Sequence, residues 1–358
     1  RIVSISIPRM VSGTTFYGPA SYTVTNHAGQ AEFSGMIAIT SSGITTALTG
    51  WIDETEDDPI TALDVGTLAR MSTSLYSESG HTMTQSRAYF DIPFSGAGTD
   101  GTNFDATLYG YDDMGKPWRI KEATGTIERQ TFDGIGRLLA SYIGTNDSSF
   151  SGGESSGTDD MVKVSEIVYD VGASGGNSSV TKRATFVEDS ATDKRETMYT
   201  NDGRGRAVVI VPPAGPVVLN KYDNFSRIAA VGQYSAIGSL TAASDPTSLT
   251  TNRIGLSQTF YDAKGQVWKT QRHQIDDSDG SDDDSLQSLS WYSSTGQKIK
   301  TIGMSITKTT YDRLGRVTHI FVLARTDDPV PASGTSYAAA STVVGDIVLE
   351  ERQMHYDF

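Results

Sequence analysis

A chain of 358 residues with a formal net charge of -14 and scattered lysines and arginines lacks the clustered positive charge that a nucleic-acid partner requires. It has no cysteine, which excludes disulfides and thiolate metal sites, and no apolar run long enough for a membrane-spanning helix. Hydrophobic residues make up only 37%, beside 36 glycines and 16 tyrosines, a composition that favours many short strands and turns.

One short unit recurs along the chain: an aromatic residue, an aspartate, two variable residues, a glycine, a basic or amide residue and an apolar one. Well-formed copies begin at Tyr111-Asp112, Phe132-Asp133, Tyr261-Asp262 and Tyr311-Asp312, and continue to Gly115, Gly136-Arg137, Gly265 and Gly315-Arg316. Degenerate copies span 25–30, 76–81, 201–206, 222–227 (Tyr222-Asp223, with Ser226 for the glycine) and 292–297, and half-copies stand at Tyr169-Asp170 and Tyr356-Asp357.

The chemistry of this unit predicts a hairpin turn. The aromatic residue ends one strand and packs on a sheet face. The aspartate accepts the backbone N–H groups of the next two residues, and the glycine takes a positive φ. The basic or amide residue opens the return strand. Since a single hairpin is marginal in water, we expect successive hairpins to pair into one long, curled, largely antiparallel sheet with little helix.

Other segments fill the intervals between repeats. Thr61 to Ala69 is the best helix candidate and covers only about two turns. Long polar stretches predict surface loops near residues 144–160, 171–179, 235–252, 275–286 and 326–341. We expect residues 1–358 to form one continuous scaffold. Because the sequence stops inside a repeat, we interpret it as part of a larger protein.

The recurring Tyr-Asp-x-x-Gly-Arg units resemble the Rhs/YD-repeat family, over about residues 26–356. The resemblance implies an all-β shell or barrel, in which a β-sheet ribbon spirals into a hollow cocoon. In bacterial relatives and insecticidal toxin complexes the cocoon encloses a toxin, and in teneurins a related barrel serves adhesion. Toxin-bearing relatives end in a self-cleaving region with Asp-Pro, and the pairs at Asp58, Asp245 and Asp328 do not resemble it.

The acidic segment 276–284 is the strongest candidate for metal binding. Alternating carboxylates around Gly280 can gather oxygen ligands for Ca²⁺, with Asp277, Asp279 and Asp282 as the ligands. The segment does not follow the EF-hand register, so a solvated acidic loop is the plainer interpretation. No other cofactor is expected.

Two motifs of enzymes occur, both in contexts that do not suit catalysis. The segment 153–157 matches G-x-S-x-G but lies in a Ser/Gly/Asp loop. The segment 96–101 matches G-x-G-x-x-G but leads into a strand rather than a helix. The five histidines are isolated from one another, which favours surface roles, and aspartates repeated at every turn are structural rather than a unique catalytic pair.

Three functions follow as hypotheses. The first is a non-catalytic scaffold, part of a secreted or cell-surface shell that encloses a polypeptide cargo or toxin. The second is a subunit of an extracellular filament, surface layer or adhesin. The third, an enzyme, lacks any convergent set of polar residues. The expected partners are other parts of the parent chain, neighbouring copies or an enclosed cargo, outside the cell or at its surface.

Overall fold

The computed structural model describes residues 2–6, 20–37, 68–93, 96–150, 159–171, 176–187, 193–324 and 340–356, and within them the chain is all-β. Helical conformation in this part is confined to residues 340–341. The first eleven strands are β1 Ile2–Ser6, β2 Ala20–Thr25, β3 Ala31–Ile37, β4 Leu68–Tyr76, β5 Met83–Tyr89, β6 Phe104–Tyr111, β7 Pro117–Lys121, β8 Ile127–Phe132, β9 Leu138–Gly144, β10 Val162–Tyr169 and β11 Val180–Phe186.

The remaining strands are β12 Lys194–Asn201, β13 Ala207–Val211, β14 Val217–Tyr222, β15 Ile228–Tyr234, β16 Arg253–Tyr261, β17 Val267–Ile275, β18 Asp282–Tyr292, β19 Lys298–Ile302, β20 Ile306–Tyr311, β21 Val317–Leu323 and β22 Val348–Gln353. The chain divides into two compact units. Unit 1 comprises Arg1–Ile167 and Ala184–Lys194, and unit 2 comprises Val168–Arg183 and Arg195–Phe358.

Within each unit, successive strands pair antiparallel. In unit 1 this order runs from β1 to β10. In unit 2 it runs from β12 to β22. The prediction of tandem antiparallel hairpins is therefore confirmed. Whether residues 1–358 form a single scaffold stays a prediction.

The repeats form hairpins with an offset register. In the hairpin formed by β20 and β21, Thr310 pairs with His319, but Tyr311 pairs with Val317, so the ladder shifts by one residue at the aromatic position. The same shift occurs at Tyr111, Tyr222 and Tyr261. A type I turn followed by a left-handed residue produces this bulge, which is why the unit requires glycine at its fifth position.

The antiparallel order gives each unit two unlike edges. Because alternate connections fall at the same end of the strands, the repeat turns form a row along one set of strand ends. We call this row the turn edge. In unit 2 the turn edge holds residues 202–206, 223–227, 262–266, 293–297 and 312–316. The other connections form the loop edge, whose described residues are 212–216, 235–252, 276–281, 303–305, 324 and 340–347.

Loops cover the apolar clusters on the sheet. In unit 2, Val209, Leu219 and Tyr234 are fully buried beneath Leu240 and Leu249 of the loop 235–252. A second cluster lies beside Val343 and comprises Leu289, Ile302, Ile306, Phe321 and Leu323. In unit 1, Phe150 packs on a cluster of Ile127, Ala140, Tyr142 and Met161. Loop residues thus supply the second layer that a one-sheet core needs.

Two boundaries differ from the sequence prediction. Of the helix candidate, residues 61–67 lie outside the described residues, and Leu68 and Ala69 belong to β4, whose pairing with β3 outweighs a weak helical pattern. Of the predicted loop 275–286, only residues 276–281 form the connection. Asp282 already pairs with Ile275 in the ladder, so the acidic run enters a strand. Most of the predicted loop 326–341 lies outside the described residues.

Candidate functional site: the row of repeat turns

The turn at Asp312 shows how the repeated residues work together. The N–H of Asp312 donates to the carbonyl of Arg316 (2.9 Å), and the N–H of Gly315 donates to the carbonyl of Asp312 (3.0 Å). One carboxylate oxygen, Oδ1, accepts the N–H groups of Leu314 and Arg316, both at 2.9 Å. The other, Oδ2, accepts Nε of Arg316 at 2.7 Å. The carboxylate therefore has partners on both oxygens.

The same bonds recur at the other turns. Arg137, Arg206 and Arg227 donate Nε to the aspartate four residues earlier, at 2.6–2.7 Å. At Asp112 and Asp262 the backbone bonds are kept, with Lys116 and Gln266 in the basic position. In every case the aspartate accepts the N–H groups of the second and fourth residues after it, not the next two as predicted.

The tyrosines connect neighbouring turns. In unit 2 the hydroxyl of Tyr222 donates to the carbonyl of Ala207, at 3.1 Å, across the preceding repeat. The acceptor is always the fifth residue after the position that aspartate takes in that repeat. The equivalent bonds are Tyr261 to Ile228, Tyr292 to Val267, Tyr311 to Lys298 and Tyr356 to Val317 in unit 2, and Tyr76 to Ala31 in unit 1.

The arginines also reach the next repeat. The guanidinium of Arg227 lies 4.1 Å from the ring centre of Tyr261, and that of Arg206 lies 4.5 Å from Tyr222. Arg316 stacks on Tyr356 in the same way, at 4.5 Å. A guanidinium over an aromatic face is attracted by the ring quadrupole. Each arginine thus neutralises its own aspartate and stacks on the following tyrosine.

The repeated glycines leave space for side chains of the preceding turn. Gly136 has a φ of +78°, and a Cβ there would collide with the end of Lys116, whose ammonium donates to the Gly136 carbonyl. A Cβ at Gly296 or Gly315 would lie 3.0 or 2.9 Å from Gln266 or Gln297 of the preceding turn. At Gly136, Gly296 and Gly315 the glycine therefore meets two requirements, a left-handed backbone and a close approach from the neighbouring repeat.

Hydrogen bonding lowers the pKa of the turn aspartates. The pKa values of Asp133 and Asp312 fall below their usual range mainly because each carboxylate accepts a backbone N–H, from Arg137 and Arg316 respectively. Further hydrogen bonds add to this and outweigh burial, which raises the pKa. At Asp202 and Asp223 burial raises the pKa, but hydrogen bonds from Arg206 and Arg227 outweigh it. These carboxylates stay charged and occupied, which does not suit a general acid or base.

The candidate calcium ligands do not converge. The described residues contain no group of three or more acidic or histidine side chains that could hold a metal ion. Asp282 instead faces Arg253 Nη2 at 3.0 Å and His273 Nδ1 at 3.1 Å. Asp279 accepts the N–H of Ser281, and Asp277 is exposed. Asp282 thus forms ion pairs with Arg253 and His273.

Two charged clusters were missed by sequence reasoning. Arg253 has a fully buried side chain and donates to the carbonyls of Gly280 and Pro246, both at 2.8 Å, which fixes two loops of unit 2. In unit 1, Asp147 accepts hydrogen bonds from Arg119 and Arg129, and mainly the Arg119 bond lowers its pKa to about 2. Neither lies in a repeat, and their partners are distant in sequence, so no local signal marks them.

The two enzyme-like motifs have different outcomes. Residues 153–157 lie outside the described residues. Gly96, Gly98 and Gly101 all have positive φ and belong to the connection between β5 and β6. A strand rather than a helix follows, so the N–H groups of a helix N-terminus are not available there for a phosphate. No helix in the described part of the chain is long and apolar enough to cross a membrane.

Comparisons with known proteins give only distant similarities. No protein-family model and no curated protein matches the sequence. The crystal structure of TcdB2-TccC3-Cdc42 is similar at 14% identity over 86% of this chain and 16% of that one, with a TM-score of 0.33. The Photorhabdus luminescens Tc holotoxin pore is similar at 11% identity over 87% and 17%, with a TM-score of 0.28.

A porin-like protein from Bacteroides uniformis is similar at 11% identity over 72% of this chain and 85% of that one, with a TM-score of 0.18. The chain spans about a sixth of the length of the two toxin-complex structures.

Proposed function

We propose that this chain is a non-catalytic structural scaffold, part of a larger secreted or cell-surface YD-repeat shell that encloses a polypeptide cargo. The recurrence of the Tyr-Asp-x-x-Gly-Arg unit supports the family relationship. The pairing of successive strands supports a wall that grows by adding hairpins.

The observation that supports this proposal most directly is the series of contacts between one turn and the next. Arg227 binds Asp223 and stacks on Tyr261, whose hydroxyl bonds to the carbonyl of Ile228. These contacts use only residues of the repeat, so further repeats extend them in the same way. A wall built from such a unit lengthens by repetition of the same contacts.

The same contacts support a non-catalytic role. Both oxygens of Asp133, Asp202, Asp223 and Asp312 accept hydrogen bonds from their own turns. A catalytic carboxylate must exchange partners with a substrate, and these would have to break their turns to do so.

A filament or adhesin subunit is the second candidate. Strand β22 favours it, because all six of its residues are exposed, including Val348 and Leu349. An exposed strand can pair with a strand of another chain.

Electron microscopy of the intact parent protein tests the two candidates. The shell predicts discrete hollow particles that retain a second polypeptide or a cleaved segment inside. Filaments or sheets of repeating subunits would contradict the shell and support the second candidate. Compact particles that turn over a substrate would contradict both.

A further inference from the structure

The two edges of unit 2 carry opposite charge. The five repeat turns of the turn edge hold six cations and four carboxylates: Arg204, Arg206, Arg227, Lys264, Arg313 and Arg316, with Asp202, Asp223, Asp262 and Asp312. The loop edge holds the segment 276–284, which has six aspartates and no cation. In a chain with a net charge of -14, a locally cationic edge is unexpected.

Most turn-edge carboxylates are already neutralised. Asp202, Asp223 and Asp312 form ion pairs with arginines of their own turns, at 2.6–2.7 Å. The exposed cations at the turn tips are Arg204, Lys264 and Arg313. They face solvent as a row, because alternate strands of a sheet place successive turns about 9.5 Å apart.

The acidic edge is equally open. Asp277 and Asp283 are exposed, whereas Asp282 is bound by Arg253 and His273. Strand β17 separates this segment from the turn at 262–266, and its nine residues span about 30 Å. The acidic segment therefore cannot reach the neighbouring turn of its own sheet.

Exposed apolar side chains flank both charged surfaces. Phe225 and Leu314 at the turn tips are 81% and 76% exposed. At the loop edge, Met304 and Val344 are 88% and 87% exposed. The two edges thus carry charged surfaces of opposite sign, and exposed apolar side chains lie beside each of them. Apolar contacts stabilise an interface, and charge selects its orientation.

We propose that the turn edge of unit 2 is an interaction surface for the loop edge of a second copy of this chain. Lys264 and Arg313 of one copy contact the aspartates of the segment 276–284 in the next, with Phe225 and Leu314 packed among the exposed apolar side chains there. The contact is heterologous, so a pair of copies keeps one free turn edge on one copy and one free loop edge on the other. It holds whether or not a cargo is enclosed.

Charge exchange tests the contact. We expect the full chain to associate in sedimentation velocity experiments at about 0.05 M salt, and to dissociate near 1 M, where the screening length is about 3 Å. The variant Lys264→Glu/Arg313→Glu is expected to weaken association by about tenfold or more. Asp277→Lys/Asp283→Lys should have a similar effect, and the four changes combined should restore association to within about threefold.

A matched control separates the contact from net charge. Arg195→Glu/Arg272→Glu makes the same charge change at exposed strand positions of unit 2, away from the turn edge. It should leave association nearly unchanged. Equal weakening by this control would overturn the proposal, as would a wild-type chain that stays monomeric at every concentration.

Zero-length carbodiimide cross-linking of mixed isotope-labelled and unlabelled chains gives a second readout. Cross-linked peptides that join Lys264 of one copy to segment 276–284 of another are expected. Cross-links elsewhere only would contradict the assignment. Binding of a monomeric chain to phosphatidylserine vesicles, lost in Lys264→Glu/Arg313→Glu, would overturn it in favour of a membrane surface.

Discussion

At the scale of single residues, the fifth position of the repeat is the most constrained. Gly115, Gly205, Gly265 and Gly315 have φ between +76° and +84°, a region that side chains with a Cβ rarely adopt. Ser226 occupies the same position with a φ of 65° and accepts a hydrogen bond from Arg206 at 3.1 Å. One hydrogen bond from the preceding turn thus partly offsets the strain at this position.

Two glycines of one turn provide a direct test of this constraint. Gly136→Ala forces a side chain into the left-handed region and against Lys116, so we expect a loss of roughly 1–3 kcal/mol in unfolding free energy. Gly134→Ala in the same turn meets open space and has no positive φ, so it should be neutral or stabilising by up to about 1 kcal/mol. Urea unfolding measures both. Equal effects would contradict a conformational origin.

At the scale of elements, the hairpins could be predicted but their lateral contacts could not. The pattern from Tyr311 to Arg316 defines a turn because all its bonds are local. The bond from Tyr261 to the Ile228 carbonyl depends on which strands are neighbours, and the insertion at 235–252 hides that relation in the sequence. The repeats are irregularly spaced in the sequence but regularly spaced along the turn edge, because the long insertions lie in the connections of the loop edge.

Removal of one tyrosine hydroxyl tests the lateral bond. Tyr222→Phe keeps the ring beneath Arg206 but leaves the Ala207 carbonyl without this donor, so we expect a loss of about 0.5–1.5 kcal/mol in unfolding free energy. Tyr199→Phe in β12 is the control, because within the described residues that hydroxyl has no hydrogen bond. If both variants unfold at the same urea concentration, the hydroxyl bond does not stabilise the sheet.

The buried Arg253 couples two loops of unit 2 to the sheet. Arg253→Met removes the donors to the carbonyls of Gly280 and Pro246, each loss worth roughly 1–3 kcal/mol when the acceptor stays buried. Arg272→Met, at an exposed position on β17, should change stability by less than about 0.5 kcal/mol. Equilibrium unfolding in urea compares them. A loss no greater than that of the control would show that water replaces Arg253 without penalty.

At the scale of the whole molecule, charge is distributed by position in the fold, which composition could not reveal. The net charge of -14 predicts a uniformly acidic surface. The repeat instead places more cations than carboxylates at the turns of unit 2, and the segment 276–284 carries six aspartates. Sequence reasoning identified the acidic segment 276–284 as a solvated loop with a candidate calcium site, but not the ion pair of Asp282 with Arg253, because strand β18 and that partner are set by tertiary pairing.

The turn aspartates predict loss of stability in acid. Their pKa values are lowered in the folded chain, so the stabilisation is complete above the unfolded pKa and is lost as pH falls through the folded pKa. The urea midpoint should therefore decrease between about pH 5 and pH 2. Asp312→Asn removes one contribution and should make that decrease shallower. An unchanged slope would exclude this origin for the acid sensitivity.

The separation of the two edges has a consequence for sequence variation. A residue of the turn edge contacts both its own hairpin and the next one, so a substitution there affects the stability of two hairpins. Segments of the loop edge, such as 235–252, can lengthen or shorten without changing any distance along the row of turns. Related chains should therefore differ in length mainly at the loop edge of the sheet, and foreign peptides inserted there should leave the repeats intact.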